Sequence, residues 1–275
     1  MTNKNSSISF SKNNKIANLS KHMFGTNLEH IGDAIYRNGI WAEVIKNRKF
    51  CGPDKLVWNN GLEHDHLDFG IIQPWNGFNA SAKHVMYAHS NSEYITKGEE
   101  LISRYGSGKQ SQQITIREKS NVRRGIQQKI FLVDPKDEFN FSIITKGENQ
   151  KIFIEIGEIK FSFFTKKNWH KFSKKIKFTK YNSNKKISIS IKSGNIYIAN
   201  SSLMPQDTIY GFRKDITKMI KEWTPSYIRW PGGNFLSGYN WLNGIGNKDL
   251  RLPYYDHAWY LWENNDVGTD EFMKW

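Results

Sequence analysis

The chain contains 275 residues, enough for one large domain or two modest ones with a sizeable buried core. A single cysteine, Cys51, excludes an intramolecular disulfide framework and a cysteine-rich metal cluster, so we expect no metal and no cofactor. No apolar run approaches the length of a membrane-spanning helix, and residues 1–7 lack the apolar segment of a signal peptide. If Met1 is the true start, these features predict a cytoplasmic protein with no membrane partner.

The formal net charge of +14 leaves three classes of partner open: nucleic acid, a membrane surface or an acidic polymer. The lysines, however, alternate with apolar residues in segments such as 175–178 and 186–189, which is typical of the wet face of a sheet. We therefore expect no nucleic-acid partner, and steeply salt-dependent binding to random DNA or RNA would contradict this. The 10 Trp and 12 Tyr residues suit either a β-core or a carbohydrate site, and their number alone favours the core.

The first region of the chain follows a strand-then-helix pattern. Residues Met23–Ile31 read as a strand that ends in polar groups. Ile40, Trp41, Val44 and Ile45 follow at spacings of one, three and one, which predicts one face of a helix.

The second region, Cys51 to Asn200, changes character and alternates apolar and polar residues with period two. Turn signals separate the alternating segments, among them residues 134–137, 146–149 and 193–195. Many short strands at regular spacing predict an antiparallel sandwich or jelly roll. The predicted strands are 114–116, 129–133, 139–144, 151–156, 159–163, 176–178, 187–191 and 196–198.

The third region returns to a β/α pattern. Apolar residues from Phe212 to Trp223 recur at spacings of four, three, one and three, which predicts a helix that stops at Pro225. A strand follows at once, and after a loop the segment from Gly268 predicts a helix start with Thr269 as the N-cap and acidic residues in the first turn.

The most informative segment runs from Ile228 to Phe235. An apolar strand here delivers Arg229, a Gly232-Gly233 pair and Asn234 to one place. A charged donor at the end of a buried strand is costly unless it binds something polar, and paired glycines let a ligand approach the backbone closely. The segment therefore indicates the floor of a binding site.

These residues also resemble a known family, the α-L-arabinofuranosidases of glycoside hydrolase family 51. The likeness covers about residues 20–50 and 200–275, and the run Arg229–Phe235 is its most specific part. The matching segments are Phe24–His30, Gly39–Glu43, Asn47–Phe50, Leu203–Pro205, Gly211–Arg213, Arg229–Phe235, Ser237–Trp241, Gly244–Gly246, Asp256–Trp259 and Gly268–Phe272.

The resemblance implies a (β/α)8 barrel in which Met23–Ile31 is strand one and Tyr227–Trp230 is strand two. Some members carry a sandwich like a carbohydrate-binding module after the first barrel helix, and the strand-rich segment looks like such an insert. The fold class expected is thus α/β plus all-β. Residues 1–50 would begin the barrel, 51–200 would form the inserted sandwich, and 201–275 would continue the barrel up to a truncated helix.

The resemblance also implies roles for four residues at the carboxyl ends of barrel strands, where such barrels hold their active sites. Glu29 is similar to the family's sugar-binding glutamate, Arg229 and Asn234 to the pair that shapes the arabinose subsite, and Trp259 to an aromatic residue that stacks on the sugar. Two plainer interpretations stay open. Glu29 could be a strand-end ion-pair partner of Arg229, and Trp259 could belong to the core.

Retaining glycosidases use two carboxyl groups about 5–5.5 Å apart, one as acid/base and one as nucleophile. In the family both are glutamates on later barrel strands, and we expect them beyond Trp275. The resemblance thus implies retaining α-L-arabinofuranosidase activity on arabinose-containing glycans for a longer parent, which could be a homo-oligomer, whereas the chain alone is predicted to be inactive. The alternative is a non-catalytic carbohydrate-binding protein that uses aromatic residues of the sandwich, such as Trp58, Trp75 or Trp169.

Overall fold

A computed structural model of the chain describes residues 7–9, 17–53, 68–100, 106–119 and 121–275. Within these ranges the helices are Gly32–Ile35, Lys214–Trp223 and Thr269–Lys274, and three short 3-10 turns lie at Asn234–Gly238, Trp241–Gly244 and Lys248–Leu250. The strands are β1 (Thr26–Asn27), β2 (Asn76–Phe78), β3 (Val85–Asn91), β4 (Gln110–Ile116), β5 (Arg124–Phe131), β6 (Glu138–Lys146), β7 (Lys151–Ile156), β8 (Ile159–Phe164), β9 (His170–Lys177), β10 (Asn184–Ile191), β11 (Asn195–Pro205), β12 (Thr208–Ile209), β13 (Phe212–Arg213), β14 (Ile228–Arg229), β15 (Tyr254–Asp256) and β16 (Leu261–Glu263).

Two five-stranded antiparallel sheets form most of the structure. One has the strand order β2-β5-β10-β7-β8 and the other β3-β4-β11-β6-β9. Alternation decides which residues face inward, as in β7, where Ile152, Ile154 and Ile156 are buried and the residues between them are less so. The sheets pack face to face over a core rich in isoleucine and phenylalanine. The predicted antiparallel sandwich is confirmed.

All eight predicted strand segments fall on strands β4 to β11, most of which are longer than predicted. Strands β2 and β3 were not predicted. β2 has only three residues, and β3 mixes polar and apolar residues, although its Val85 and Tyr87 are buried in the core. The core of the sandwich also takes in Ile45 and Phe50 from the first region of the chain.

A second, smaller hydrophobic cluster lies outside the sandwich. It is formed by Ile35, Ile40, Trp41, Phe212, Val267 and Phe272. Beside it, β1 and β14 pair in parallel, with Thr26 opposite Ile228 and Asn27 opposite Arg229. The pair is shorter than the two predicted barrel strands, and Ile228 and Arg229 are exposed, so the expectation that Arg229 ends a buried strand is wrong. One parallel pair does not make a barrel, and the barrel stays a proposal.

The helix predicted from the spacing of Ile40, Trp41, Val44 and Ile45 is wrong. A four-residue helix precedes this segment, and the segment itself is not helical. Trp41 forms an isolated bridge with Phe212, and the Val44 amide donates to the Leu203 carbonyl at 3.1 Å. The chain here passes from the smaller cluster, which holds Ile40 and Trp41, to the sandwich core, which holds Ile45. Burial in two successive cores produces the same spacing as one helical stripe.

The helix predicted before Pro225 is confirmed as Lys214–Trp223 and ends at Thr224, whose φ of 51° is left-handed. Phe212, expected at its start, lies in β13 instead. The last helix begins at Thr269, so the N-cap is Gly268 rather than the predicted Thr269. The Gly268 amide is satisfied by the Glu271 carboxylate, which accepts its hydrogen bond at 2.9 Å.

Candidate functional site

The parallel pair brings the ends of β1 and β14 side by side. Beyond the paired residues, the Leu28 amide donates to the Arg229 carbonyl at 3.0 Å, and the His30 amide donates to the Pro231 carbonyl at 2.8 Å. Glu29 therefore lies beside the segment that leads into the Gly-Gly pair. Main-chain hydrogen bonds thus hold together two segments that lie about two hundred residues apart in the sequence.

The Gly232-Gly233 pair is shaped around side chains of the chain itself. Both glycines have positive φ, 62° and 48°. A β-carbon on Gly233 would overlap the Glu29 carboxylate, and one on Gly232 would lie 2.5 Å from Oδ1 of Asn27. The backbone of the two glycines is thus closely approached, as their pairing indicates, but by the side chains of Glu29 and Asn27. Only glycine combines this backbone conformation with this contact.

Glu29 and Arg229 do not form an ion pair with each other. Arg229 donates instead from Nη1 to Oδ1 of Asn27 at 3.0 Å. Oε1 of Glu29 is buried and has no hydrogen-bond partner among the residues that the structure describes. An unpaired buried carboxylate oxygen is costly, and the cost falls when a donor occupies the place beside it. The interpretation of Glu29 as the ion-pair partner of Arg229 is therefore wrong.

Asn234 follows the glycines and begins the turn Asn234–Gly238, where it is exposed. It opens into a cavity of about 1200 Å³, which Glu29, Arg229 and Trp259 do not line. The cavity is lined by Lys97, Gly98, Glu99, Asn234, Ser237, Gly238, Asn240, Leu242, Asn243, Ile245, Leu252, Pro253, Tyr254, Tyr255, Asp256, His257 and Ala258.

Trp259 lies in the turn of a hairpin formed by β15 and β16. It is half-buried, it belongs to neither hydrophobic cluster, and its Nε1 is buried without a partner within the described ranges. The interpretation of Trp259 as a core residue therefore finds no support in these clusters. The predicted set thus occupies three adjoining places: Glu29 with Arg229 at the strand ends, Asn234 at the cavity, and Trp259 on the hairpin.

His30 connects the hairpin to the strand ends. Its Nε2 lies 2.9 Å from Oε2 of Glu263, while the Trp230 indole donates to its Nδ1 at 3.2 Å. Phe235 stacks on the imidazole with ring centroids 4.3 Å apart. The sequence does not reveal Glu263 as the partner of His30, because no local motif links residues 233 positions apart.

The two carboxyl groups of the hairpin, Asp256 and Glu263, are both engaged in hydrogen bonds within the protein. Asp256 accepts from the Ala258 amide at 2.9 Å, and burial raises the pKa of Asp256, an effect that this and a second backbone hydrogen bond reduce. Glu263 accepts from the Asn265 amide at 2.6 Å and from the Tyr36 hydroxyl. Carboxyl groups engaged in this way position neighbouring residues.

Three tryptophans were candidates for a carbohydrate site on the sandwich. Trp75 is 0% exposed and packs in the core against Phe50, so its candidacy is wrong. Trp58 lies outside the described residues. Trp169 is half-buried, with the Lys146 ammonium 5.7 Å from its ring centroid and Tyr94 beside it.

The described part of the chain shows no grouped metal ligands and no membrane-spanning helix. There, no group of three or more His, Cys, Asp or Glu residues is placed to hold a metal ion. No helix among these residues has the length and apolarity needed to cross a membrane.

Part of the chain is similar to α-L-arabinofuranosidases. The profile described as "Alpha-L-arabinofuranosidase 1 domain" matches residues 219–275. The intracellular exo-alpha-(1->5)-L-arabinofuranosidase 1 of Bacillus subtilis (strain 168) is 54% identical over 65 residues, which are 24% of this chain and 13% of the relative. The probable alpha-L-arabinofuranosidase C of Aspergillus clavatus is 44% identical over 82 residues, 30% of this chain and 16% of the relative. The matches thus span about a seventh of these relatives.

Comparison with solved structures gives weaker likenesses, all over part of the chain. A structure titled "CBM4 structure and function" has a TM-score of 0.34 at 16% identity and covers 44% of this chain and 86% of its own. TmCBM61 in complex with beta-1,4-galactotriose has a TM-score of 0.34 at 15% identity and covers 50% of this chain and 92% of its own. The sandwich architecture rests on the strand pairing described above.

Proposed function

We propose that the chain is part of a retaining α-L-arabinofuranosidase of glycoside hydrolase family 51 that acts on arabinose-containing glycans. The observation that carries this proposal is the sequence match over residues 219–275, because it includes Arg229, the Gly-Gly pair and Asn234. The contact of Glu29 with Gly233 supports it, since it brings the fourth candidate group to the same segment. The relatives that match are arabinofuranosidases by name.

In this proposal each residue has one role in binding a terminal arabinofuranosyl residue. The half-buried Glu29 carboxylate accepts a hydrogen bond from a ring hydroxyl. The exposed Arg229 guanidinium and the Asn234 amide donate, and a planar guanidinium presents its donors at fixed angles. Trp259 offers a ring face beside the hairpin turn. β1 and β14 would be strands one and two of a (β/α)8 barrel, begun by residues 1–50, continued by residues 201–275 and interrupted by the sandwich of residues 51–200.

Binding without hydrolysis is the expected behaviour of the 275-residue chain. Asp256 accepts from the Ala258 amide, and Glu263 is bound by His30 and the Asn265 amide, so we assign neither of them the role of nucleophile or general acid. The test is ligand-observed NMR with methyl α-L-arabinofuranoside, together with an assay for release of arabinose. We expect binding that is lost in Glu29→Gln and Arg229→Met and retained in Asn140→Ala, an exposed position on β6. Unchanged binding in the first two variants would contradict the proposal.

A second candidate function is glycan binding by the outer face of the sandwich. Strand register places Gln113 opposite Tyr197, and Tyr197 opposite Lys146, in one row across three strands. Lys146 lies 5.7 Å from the Trp169 ring, so the row ends on a partly exposed indole. Aromatic rings beside amide groups suit sugar faces and hydroxyls. Pull-down with insoluble arabinan or xylan tests this: Trp169→Ala should reduce retention, and Tyr181→Ala, an exposed loop residue, should not.

A further inference from the structure

The cavity beside Asn234 is formed by two distant parts of the chain. Most of its lining comes from residues 234–258, but Lys97, Gly98 and Glu99 form one wall. These three residues belong to the connection between β3 and β4 of the sandwich. The sandwich therefore contributes directly to a cavity that adjoins the candidate arabinose site.

Several contacts fix this wall on the loops opposite. The Lys97 amide donates to the Leu250 carbonyl at 3.3 Å, and its ammonium donates to the Ile245 carbonyl at 3.0 Å. Gly98 has a φ of 88°, and a β-carbon there would lie 2.9 Å from Oδ1 of Asn243. Glu100 accepts from the Lys109 amide at 2.9 Å and so ties the end of the segment back to the sandwich. The wall is held from both sides.

Glu99 lies between these anchors and is not used by them. Its side chain is exposed, lines the cavity, and forms no hydrogen bond or ion pair with any residue that the structure describes. The groups that share the cavity include the neutral amides of Asn234 and Asn240 and the imidazole of His257. The charged groups of the lining besides Glu99 are engaged, because the Lys97 ammonium donates to the Ile245 carbonyl and Asp256 accepts from the Ala258 amide. The free carboxylate beside amide and imidazole groups thus offers acceptors and donors for the hydroxyl groups of a sugar.

The size of the cavity exceeds the needs of one sugar residue. Pockets for whole drug-sized ligands occupy about 300–1,000 Å³, and this cavity has about 1200 Å³. Asn234 lines the cavity whereas Glu29 and Arg229 do not, and Asn234 directly follows Gly233, which contacts Glu29; the cavity therefore adjoins the place proposed for the terminal arabinose. The next residues of a glycan chain would leave that place through this cavity.

We propose that residues 97–99 form an accessory subsite for the second and third residues of an α-L-arabinofuranosyl chain, with Glu99 as the hydroxyl acceptor. The inference rests on the proposed function and adds a specificity-determining residue from the sandwich. The sandwich thereby takes part in the choice between short and long substrates, in addition to any binding at its own outer face.

The test compares a methyl α-L-arabinofuranoside with an α-(1→5)-linked arabinofuranosyl trisaccharide by calorimetry or NMR titration on the 275-residue chain. Wild type should bind the trisaccharide more tightly than the methyl glycoside. Glu99→Ala should weaken trisaccharide binding about 10-fold, the loss of one hydrogen bond to a charged group, and leave the methyl glycoside unchanged. Glu99→Gln keeps a hydrogen-bond acceptor, so it should retain part of the preference for the trisaccharide over the methyl glycoside. Glu148→Ala, an exposed carboxylate in the turn between β6 and β7, is the matched control and should bind like wild type.

The outcomes separate this inference from the proposed function. One outcome is that wild type and Glu99→Ala both bind the two ligands, with the same ratio of trisaccharide affinity to methyl glycoside affinity. That result overturns the subsite and leaves the proposed arabinose site unaffected. Equal loss of both ligands in Glu99→Ala also overturns the subsite, because Glu99 would then act at the terminal residue. Absence of binding for both ligands in wild type overturns both proposals.

Discussion

Arg48 and Asp266 form a two-pronged ion pair in the interior of the protein, with Nε of Arg48 2.6 Å from Oδ2 of Asp266 and Nη2 bound to the other carboxylate oxygen. Both side chains are buried. Nη1 of Arg48 also donates to Asp249 at 2.9 Å and to Asn200 at the sandwich strand β11. The guanidinium thus joins the sandwich to the loops that follow the Gly-Gly pair.

Loss of this guanidinium should destabilise the protein strongly. Arg48→Met leaves the carboxylates of Asp266 and Asp249 buried without their main counter-charge, and breaking a buried pair in this way costs about 3–5 kcal/mol. The free energy of unfolding from urea denaturation measures the effect. The control is Lys171→Ala, since the Lys171 side chain is 47% exposed although it lies 2.7 Å from Asp249, and exposed pairs contribute about 0–1 kcal/mol. Similar losses in both variants would contradict the role given to Arg48.

The same carboxylates predict a decline in stability in acid. Burial by itself raises the pKa of Asp266, but the charges of Arg48 and Lys49 outweigh it and hold the pKa below its usual value. The same balance, with Arg48 and Lys171 as the cations, lowers the pKa of Asp249. A folded-state pKa below the unfolded value means that the stabilisation is complete above about pH 4 and is lost as the pH falls through the folded-state pKa.

Urea denaturation at pH 7, 5, 4 and 3 measures this decline. We expect the free energy of unfolding to fall most below pH 4, and Asp266→Asn to be less stable at pH 7 but to lose less on acidification. If the stability of Asp266→Asn falls as steeply with pH as that of wild type, groups other than Asp266 cause the decline. Asn140→Ala, an exposed position on β6, serves as the control and should follow the wild-type curve.

The sequence predicted the sandwich well because each strand carries its own information. In β7, isoleucine at every second position is sufficient to assign both the strand and its buried face. In β10 the same pattern assigns the strand, but Ser188 and Ser190 between the isoleucines are buried too. The segment around Trp41 shows where such reasoning fails. Its residues are buried in two different cores, and a pattern in one dimension does not reveal which core each residue enters.

The sequence predicts which residues form the candidate site, but it does not predict which distant segments contact them. The Arg229–Asn234 run indicated a site through its charge and its glycines, and the contact between Gly233 and Glu29 agrees with that indication. The bond between His30 and Glu263, and the wall at residues 97–99, depend on segments that meet only in the folded chain. Trp75 shows the opposite error: the sequence makes it a candidate for carbohydrate binding, but its side chain is fully buried.

Gly233 should be essential to the position of the Glu29 carboxylate. In Gly233→Ala the new methyl group overlaps that carboxylate and the φ of 48° becomes strained, so Glu29 must move. We expect binding of methyl α-L-arabinofuranoside to fall at least 10-fold, with a loss of stability of about 1–3 kcal/mol. Gly238→Ala is the matched control, since a β-carbon there meets nothing within 4 Å. Gly233→Ala with normal affinity would show that the carboxylate position is irrelevant to binding.

Cys51 should react with alkylating reagents only when the protein unfolds. Its side chain is buried, and burial raises the pKa of the thiol to about 12, so the reactive thiolate is scarce at neutral pH. The thiol also lies 3.2 Å from Oδ1 of Asn47. We expect the rate of modification by iodoacetamide at pH 8 to rise with urea in parallel with unfolding. Rapid modification of the folded protein without urea would contradict the buried position.

His30 should hold the hairpin that carries Trp259, although it is buried and does not line the cavity beside Asn234. His30→Ala removes the bond to Glu263 and the acceptor of the Trp230 indole, and it leaves a space against Phe235. Because the bond to Glu263 is the side-chain tie between the hairpin and the end of β1, we expect amide hydrogen exchange to accelerate across β15 and β16 while β10 keeps its protection.

The same variant links hairpin order to sugar binding. If Trp259 stacks on the terminal arabinose, a mobile hairpin should weaken binding of methyl α-L-arabinofuranoside several-fold, and Trp259→Ala combined with His30→Ala should lose little more than Trp259→Ala alone, since both changes act through one ring. His170→Ala, an exposed histidine on β9, is the control for both measurements. Additive losses in the double variant would mean that His30 supports the site through β1 and Glu29, and not through Trp259.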